Sequence, residues 1–147
     1  MTVIYLDYNC FQRGFDDLQQ FRIRMEALAC QEIFANAENG KLELAWSFMH
    51  EDETYLCPLP ERKEAVWKLA ELCKIRIGPH EDIRELAKSY QERSNISAKD
   101  SVHIACAIYA EAEVFLTCDD RLIKQAQHLS LHIKVANPIE YVRWERE

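Results

Sequence analysis

Short apolar runs alternate with amphipathic stretches along almost the whole chain, and this alternation constrains the fold more than any other feature. The first run, Val3 to Leu6, is β-branched and aromatic, which is typical of a strand buried on both faces. Further strands are predicted at "LELAWSF", "EVFLTC" and "HIKVAN", and "KIRIGP" is predicted to be a short strand or an extended connector. Because strands joined by helical crossovers form parallel sheets, we predict a three-layer α/β/α fold with a central, mostly parallel sheet.

Helical periodicity and capping residues place the helices between these strands. A long helix is predicted from Asp16 or Asp17 to Asn39, where the pair Asn39-Gly40 is a C-terminal signal. The stretch "SAKD" has the form of a capping box and opens a largely apolar helix. The other predicted helices run from Pro60 through Leu72, from His80 to about Arg93, from about Asp120 to Gln127, and within "PIEYVRWERE".

Length and composition limit the class of protein. At 147 residues, with 48% hydrophobic and 29% charged residues, the chain suits one domain over residues 1–147. The N-terminus does not have the form of a signal peptide and no window resembles a membrane span, so we expect a cytoplasmic protein without membrane contact. The formal net charge of −7 argues against tight, nonspecific binding of nucleic acid through a basic surface.

Cysteine usage favours reduced thiols. The six cysteines lie in separate apolar segments, without a C-x-x-C pair. A zinc site or a disulfide framework is therefore disfavoured, and we expect the thiols to be buried as small hydrophobic groups. The residues concerned are Cys10, Cys30, Cys57, Cys73, Cys106 and Cys118.

Carboxylates lie at the ends of predicted elements in four separated places. These are Asp7 after the first strand, Glu51 to Glu53 after the second, Asp100 at the start of the apolar helix, and Asp119 with Asp120 after "EVFLT". In α/β folds the carboxyl ends of the strands meet at one edge of the sheet, where ligands bind. Hard divalent cations prefer oxygen ligands. Four such acids could hold one or two metal ions, which would activate water and neutralise the charge of a phosphodiester.

Each acid also has a purely structural explanation. Asp100 could serve its own helix through the positive end of the helix dipole. Either Asp119 or Asp120 could cap the helix that begins "RLIK". The "HEDE" run could be a solvated surface. Asp7 is harder to explain in this way, because an acid that ends a buried strand usually lies at the ligand edge.

These pieces together resemble the PIN domain family, a nuclease fold used by many VapC-type toxins of toxin–antitoxin systems. The resemblance rests on "IYLDYN", an acid after Ser47, "KDSVHIACAIYAEAEVFLTCDD" and "VANPIEYV", and it spans nearly the whole chain. The stretch from Asp100 to Asp120 is the most specific. The resemblance implies a PIN-like fold and a ribonuclease that depends on Mg²⁺ or Mn²⁺.

The resemblance also implies a role for each candidate site residue. The catalytic and metal-binding residues would be Asp7, Glu53, Asp100 and Asp119. The residues that orient these ligands would be Asn9, Thr117 and Asp120. Tyr8 departs from the small residue common at its position, which would narrow the site without removing a ligand.

Adjacent or neighbouring acids leave two assignments to be weighed. Asp119 fits the family pattern T-x-D with Thr117, so we expect Asp119 to bind metal and Asp120 to cap the following helix. Glu53 falls six residues after Ser47, as a glutamate does in related sequences, but Glu51 remains a competitor. His103, one turn after Asp100, is expected to pack or hydrogen-bond beside the site rather than to act as a general acid.

Substrate and partners are also implied by the resemblance. They are an RNA substrate and, for a toxin, a small antitoxin protein that blocks the cleft. The predicted long helix could supply a face for a partner or a homodimer, although a core face is its more common use. The main alternative is a non-catalytic PIN-fold module that binds RNA or protein. A phosphatase with an aspartyl nucleophile would need an aspartate at Asn9, and a receiver domain would need paired acids after the first strand.

Overall fold

The computed structural model describes residues 1–146, and its central sheet has the predicted parallel form. Within this range the strands are Val3–Leu6 (β1), Glu43–Ser47 (β2), Ile75–Ile77 (β3), Val114–Leu116 (β4) and Lys134–Ala136 (β5). Their order in the sheet is β3-β2-β1-β4-β5, and each neighbouring pair is parallel. The predicted α/β class is therefore confirmed.

Helices cover both faces of this sheet. The α-helices of residues 1–146 are Tyr8–Gln12 (α1), Phe21–Glu38 (α2), Phe48–Tyr55 (α3), Pro60–Ala70 (α4), Glu81–Arg93 (α5), Ala98–Tyr109 (α6), Asp120–Ala126 (α7) and Pro138–Arg146 (α8). Helices α1, α2, α4 and α8 enclose one core, and α5, α6 and α7 enclose the other. The result is the predicted three-layer arrangement. Across the same residues, none of the helices combines the length and apolarity needed to cross a membrane.

Alternation of side chains along the strands fills the two cores. In β1, Ile4 and Leu6 belong to one core and Tyr5 belongs to the other. In β2, Leu44 and Ala45 divide in the same way. Successive side chains of a strand point to opposite faces, so a strand covered by helices on both sides must be apolar throughout. This requirement explains why the strands read as unbroken apolar runs.

The predicted start of the long helix is wrong. Neither Asp16 nor Asp17 caps it, and α2 begins at Phe21 after a separate short helix and a 3₁₀ turn. Asp16 instead accepts hydrogen bonds from the guanidinium groups of Arg13 at 3.0 Å and Arg62 at 3.2 Å. The aspartates were good capping candidates by residue type, but their side chains are used elsewhere.

All six cysteines are free thiols, as predicted. Five of them are buried, and Cys57 is half-buried. Four thiols, from Cys10, Cys30, Cys73 and Cys118, lie in the same apolar core. Their packing is consistent with the expected use of cysteine as a small hydrophobic residue.

The strand order reverses between β1 and β4. The chain builds β2 and β3 on one side of β1 and then returns to build β4 and β5 on the other side. Such a reversal opens a crevice beyond the carboxyl ends of the two central strands. The backbone N–H of Asp7 donates to the carbonyl of Leu116 at 2.8 Å, so the segments that leave β1 and β4 begin side by side.

Candidate active site

A cleft of about 310 Å³ lies at this crevice. Its lining residues are Asp7, Tyr8, Asn9, Gln12, Asp16, Glu53, Lys99, Asp100 and Asp119. The four carboxylates assigned from the family resemblance, Asp7, Glu53, Asp100 and Asp119, are thus brought to one cleft although they are far apart in sequence. Glu51 and Asp120 are not among the lining residues.

Asp7 is held at the floor of the cleft by three hydrogen bonds. Its Oδ1 accepts from the backbone N–H of Tyr8 at 2.8 Å, and its Oδ2 accepts from the hydroxyl of Thr117 at 2.7 Å and from Nδ2 of Asn9 at 3.3 Å. The residue is only 7% exposed. Burial raises the pKa of Asp7, the neighbouring Asp100 carboxylate raises it further, and the Thr117 hydrogen bond opposes this rise.

Asn9 and Thr117 connect the segments that follow the two central strands. Nδ2 of Asn9 donates to the hydroxyl oxygen of Thr117 at 3.2 Å, and its Oδ1 accepts from the backbone N–H of Cys118 at 3.2 Å. The same Thr117 oxygen accepts from the backbone N–H of Asp119 at 3.1 Å. These bonds connect Asp7 to Asp119 through polar groups that cannot move independently.

The roles predicted for the two adjacent aspartates are wrong in one respect, because Asp120 does not cap α7. The N-cap of α7 is Asp119, whose Oδ1 accepts from the backbone N–H groups of Arg121 at 3.0 Å and Leu122 at 3.3 Å. Asp120 points away from the cleft and pairs with the guanidinium of Arg22 at 2.5–2.6 Å on the surface. The Arg22 hydrogen bonds lower the pKa of Asp120. Asp120 therefore does not cap the helix and does not line the cleft.

The two competing glutamates of α3 face different surroundings. Oε2 of Glu51 accepts a 2.6 Å hydrogen bond from Nε1 of Trp46, away from the cleft. Glu53 is only 13% exposed and lines the cleft, where its Oε2 lies 2.7 Å from Nε2 of His103. The placement favours Glu53 over Glu51 as the second acid. His103 is fully buried beside the site, which agrees with its expected role as a packing and hydrogen-bonding residue.

Lys99 is a cleft residue that was not predicted from the sequence. Its ammonium group forms an ion pair with Oε1 of Glu53. Burial alone would raise the pKa of Glu53, but the hydrogen bond from His103 and the Lys99 charge outweigh burial and leave the pKa below its ordinary value. A single sequence offers no periodic or motif signal for this lysine, because its importance depends on a contact between α6 and α3.

Asp100 lies in the first turn of α6. The hydroxyl of Ser97 accepts from the backbone N–H of Asp100 at 3.1 Å, which is half of the expected capping box. Within residues 1–146 the carboxylate does not return a hydrogen bond to the backbone of Ser97. Asp100 is partly exposed and lines the cleft. It is therefore available to a ligand.

The chemistry of the cleft suits a hard divalent cation. The burial of Asp7 disfavours its negative charge, and a cation would relieve this cost. Oε1 of Glu53 is already paired with the Lys99 ammonium. As the side chains are placed, no three His, Cys, Asp or Glu residues of this range converge closely enough to enclose a metal ion. Magnesium does not need such an enclosure, because one or two carboxylates, waters and substrate phosphates usually bind it.

Comparisons with known proteins identify the class that this fold and cleft represent. The family model described as the PIN domain matches residues 4–128. Because the match covers most of the sequence, the chain belongs to the PIN domain family. A search of curated proteins gave no match.

Two solved structures share this fold. One is VapBC2 from Rickettsia felis bound to a DNA fragment from their promoter, with 12% identity, a TM-score of 0.61, and coverage of 92% of this chain and 98% of that chain. The other is PAE2754 from Pyrobaculum aerophilum, with 13% identity, a TM-score of 0.55, and coverage of 99% and 91%. At such identities the likeness shows the fold alone.

Proposed function

We propose that this protein is a metal-dependent endoribonuclease of the VapC type, whose site is the cleft at the β1–β4 switch point. The observation that carries the proposal is the meeting of Asp7, Glu53, Asp100 and Asp119, from four separate segments, in one cleft of a PIN domain. PIN domains are generally nucleases. Asp7, Asp100 and Asp119, with Glu53 beside them, would hold Mg²⁺ or Mn²⁺, which supplies activation of water and neutralisation of phosphate charge.

The chain's own residues have clear tasks in this proposal. Asp7 is held in one orientation, because both of its oxygens accept hydrogen bonds from the protein. Asp100 and Asp119 line the cleft, and the capping bonds of α7 use Oδ1 of Asp119, so the Asp100 carboxylate and Oδ2 of Asp119 are available to a cation. Lys99 is the positive group of the cleft, and it can contact a phosphate of the RNA when Glu53 releases it.

A non-catalytic PIN-fold module that binds RNA or protein is the second candidate. Two observations favour it. The Lys99 ammonium already neutralises Glu53, and no three acids in residues 1–146 converge on one point. The nuclease is expected to cleave RNA, whereas the non-catalytic module is expected to bind its ligand without cleaving it.

The distinguishing experiment incubates purified protein with a set of end-labelled single-stranded and hairpin RNAs, with Mn²⁺ or with EDTA. A nuclease cuts in Mn²⁺, stops in EDTA, and loses activity in Asp100→Asn but not in Glu51→Gln. A binding module retards the RNA on a gel in both conditions and leaves it intact. Intact RNA in every condition, together with no measurable Mn²⁺ binding, excludes the nuclease.

Partnership with a small antitoxin is a further part of the proposal. It is supported by the resemblance of this chain to a solved VapBC2 toxin–antitoxin structure. We expect a short reading frame beside the gene. We also expect that expression of this protein arrests growth and that the product of the short reading frame relieves the arrest. The single domain over residues 1–147, the homodimer and the cytoplasmic location stay predictions.

A further inference from the structure

A continuous chain of hydrogen bonds runs through the buried interior and ends on Glu53 in the cleft. Nε2 of His103 lies 2.7 Å from Oε2 of Glu53, and Nδ1 lies 2.6 Å from the hydroxyl of Tyr5. The Tyr5 hydroxyl lies 2.8 Å from Oγ of Ser47. Tyr5 and His103 are fully buried, and Ser47 is 1% exposed. Buried polar groups are costly unless they are bonded, so this chain holds each member in one place.

The direction of these bonds is fixed at the end that reaches the cleft. An ionised carboxylate can only accept, so Nε2–H of His103 donates to Glu53. Burial raises the pKa of Tyr5 well above its ordinary value, so the phenol keeps its proton and can donate to Nδ1 of His103. Ser47 is fixed in turn, because its hydroxyl oxygen accepts from the backbone N–H of Met49 at 3.2 Å. The imidazole therefore presents one defined N–H to Glu53.

Glu53 needs such a fixed donor because its other contact is weakly anchored. Lys99 is 61% exposed on a long, flexible stem, whereas His103 is fully enclosed. An ion pair whose cation is exposed and flexible does not hold one geometry. Without His103, the position of the Glu53 carboxylate would be set by the mobile side chain of Lys99.

We propose that His103 is a positioning residue for Glu53: its buried Nε2–H sets the direction in which that carboxylate enters the cleft. The inference rests on the proposed function, because the direction of Glu53 matters only if the cleft binds a cation and RNA. His103 itself does not line the cleft and touches neither. The hydrogen bond between the Tyr5 hydroxyl and Nδ1 holds the imidazole ring of His103 in place.

Two substitutions of similar polarity separate positioning from simple packing. In glutamine the amide nitrogen is as many bonds from Cβ as Nε2 of histidine is, so His103→Gln keeps a donor for Glu53. In His103→Asn the amide nitrogen takes the place of Nδ1 and falls short of Glu53. Dissociation constants for Mn²⁺ from calorimetry and cleavage rates of single-stranded RNA are measured for both, each alone and combined with Glu53→Gln.

The expected result is a loss of 10–100-fold in Mn²⁺ affinity and in cleavage rate for His103→Asn, the size found when groups that orient metal ligands are removed. His103→Gln should recover most of this loss. In the Glu53→Gln background His103→Asn should cost nothing more, because the group through which it acts is gone.

The inference is overturned if Asn and Gln behave alike, or if the loss from Asn persists in Glu53→Gln. Thermal unfolding of each variant shows whether the fold is kept. A wild-type protein that neither binds Mn²⁺ nor cleaves RNA rejects the proposed function and this inference together. A wild type that does both, with an unaffected His103→Asn variant, rejects only the inference.

Discussion

The hydroxyl of Thr117 donates a 2.7 Å hydrogen bond to Oδ2 of Asp7 and so joins the ends of the two central strands at the switch point. This bond opposes the effect of burial, which raises the pKa of Asp7. It therefore favours the ionised carboxylate that a cation requires.

Thr117→Val should remove this support while it keeps the shape of the side chain. The pKa of Asp7 should rise further, and Mn²⁺ affinity at pH 7 should fall about tenfold, as for other groups that orient metal ligands. Thr117→Ser, which retains the hydroxyl, is the matched control and should bind almost as the wild type does. Calorimetric titration measures both, and equal affinity in Val and Ser variants would contradict this role.

Substitution of the two adjacent aspartates should have unequal effects. Asp119→Asn should abolish metal-dependent cleavage, because one of the four proposed ligands is lost, and should weaken the α7 cap only slightly, since asparagine caps nearly as well as aspartate. Asp120→Asn should retain activity. Its free energy of unfolding should fall by no more than about 1 kcal/mol, because the ion pair of Asp120 with Arg22 is exposed. Cleavage rates and urea unfolding test both. Equal loss of activity from the two substitutions would place Asp120 in the site after all.

Lys99 should compete with metal for Glu53. In Lys99→Met the ammonium is gone, and Mn²⁺ affinity should rise about fivefold to tenfold, because two unit charges about 4 Å apart in water interact by about 1 kcal/mol. Cleavage need not rise with it, since the lysine can also contact phosphate. Lys74→Met, an exposed lysine outside the cleft, is the control. Unchanged or weaker Mn²⁺ binding in Lys99→Met would show that the lysine does not occupy the cation's place.

Stability should depend on pH through Glu53. The pKa of this acid is depressed in the folded protein, so its ionised form stabilises the fold above the ordinary glutamate pKa, and this contribution is lost as pH falls through the depressed value. Glu53→Gln should therefore be less stable than the wild type at pH 7 by on the order of 1 kcal/mol. The difference should disappear in acid. Urea unfolding across pH measures it, with the exposed Asp52→Asn as control.

The fold was predictable because its signals are local. Strands buried on both faces read as apolar runs, and Pro60 and Ser97 marked the starts of two helices correctly. The start of α2 was not predictable in the same way, because Asp16 is attractive as a cap until its long-range bond to Arg62 is known.

The site was predictable only in part, for a related reason. Residue type and position in the chain brought out four acidic segments, the family resemblance selected one acid from each, and the structure places these four acids in one cleft. Which of Asp119 and Asp120 caps α7 depends on the backbone angles after β4. Two adjacent identical residues give no information about these angles. The contacts of Glu53 with Lys99 and His103 join segments about 50 residues apart, and no local pattern signals them.

The most direct test of metal-dependent cleavage in this cleft is the rate of RNA cleavage as Mn²⁺ is added, for the wild type and for Asp7→Asn. We expect cleavage that rises with Mn²⁺ and saturates in the wild type, and a loss of at least a hundredfold in Asp7→Asn with the fold intact by circular dichroism. Cleavage that is independent of metal, or that survives in Asp7→Asn, would contradict it.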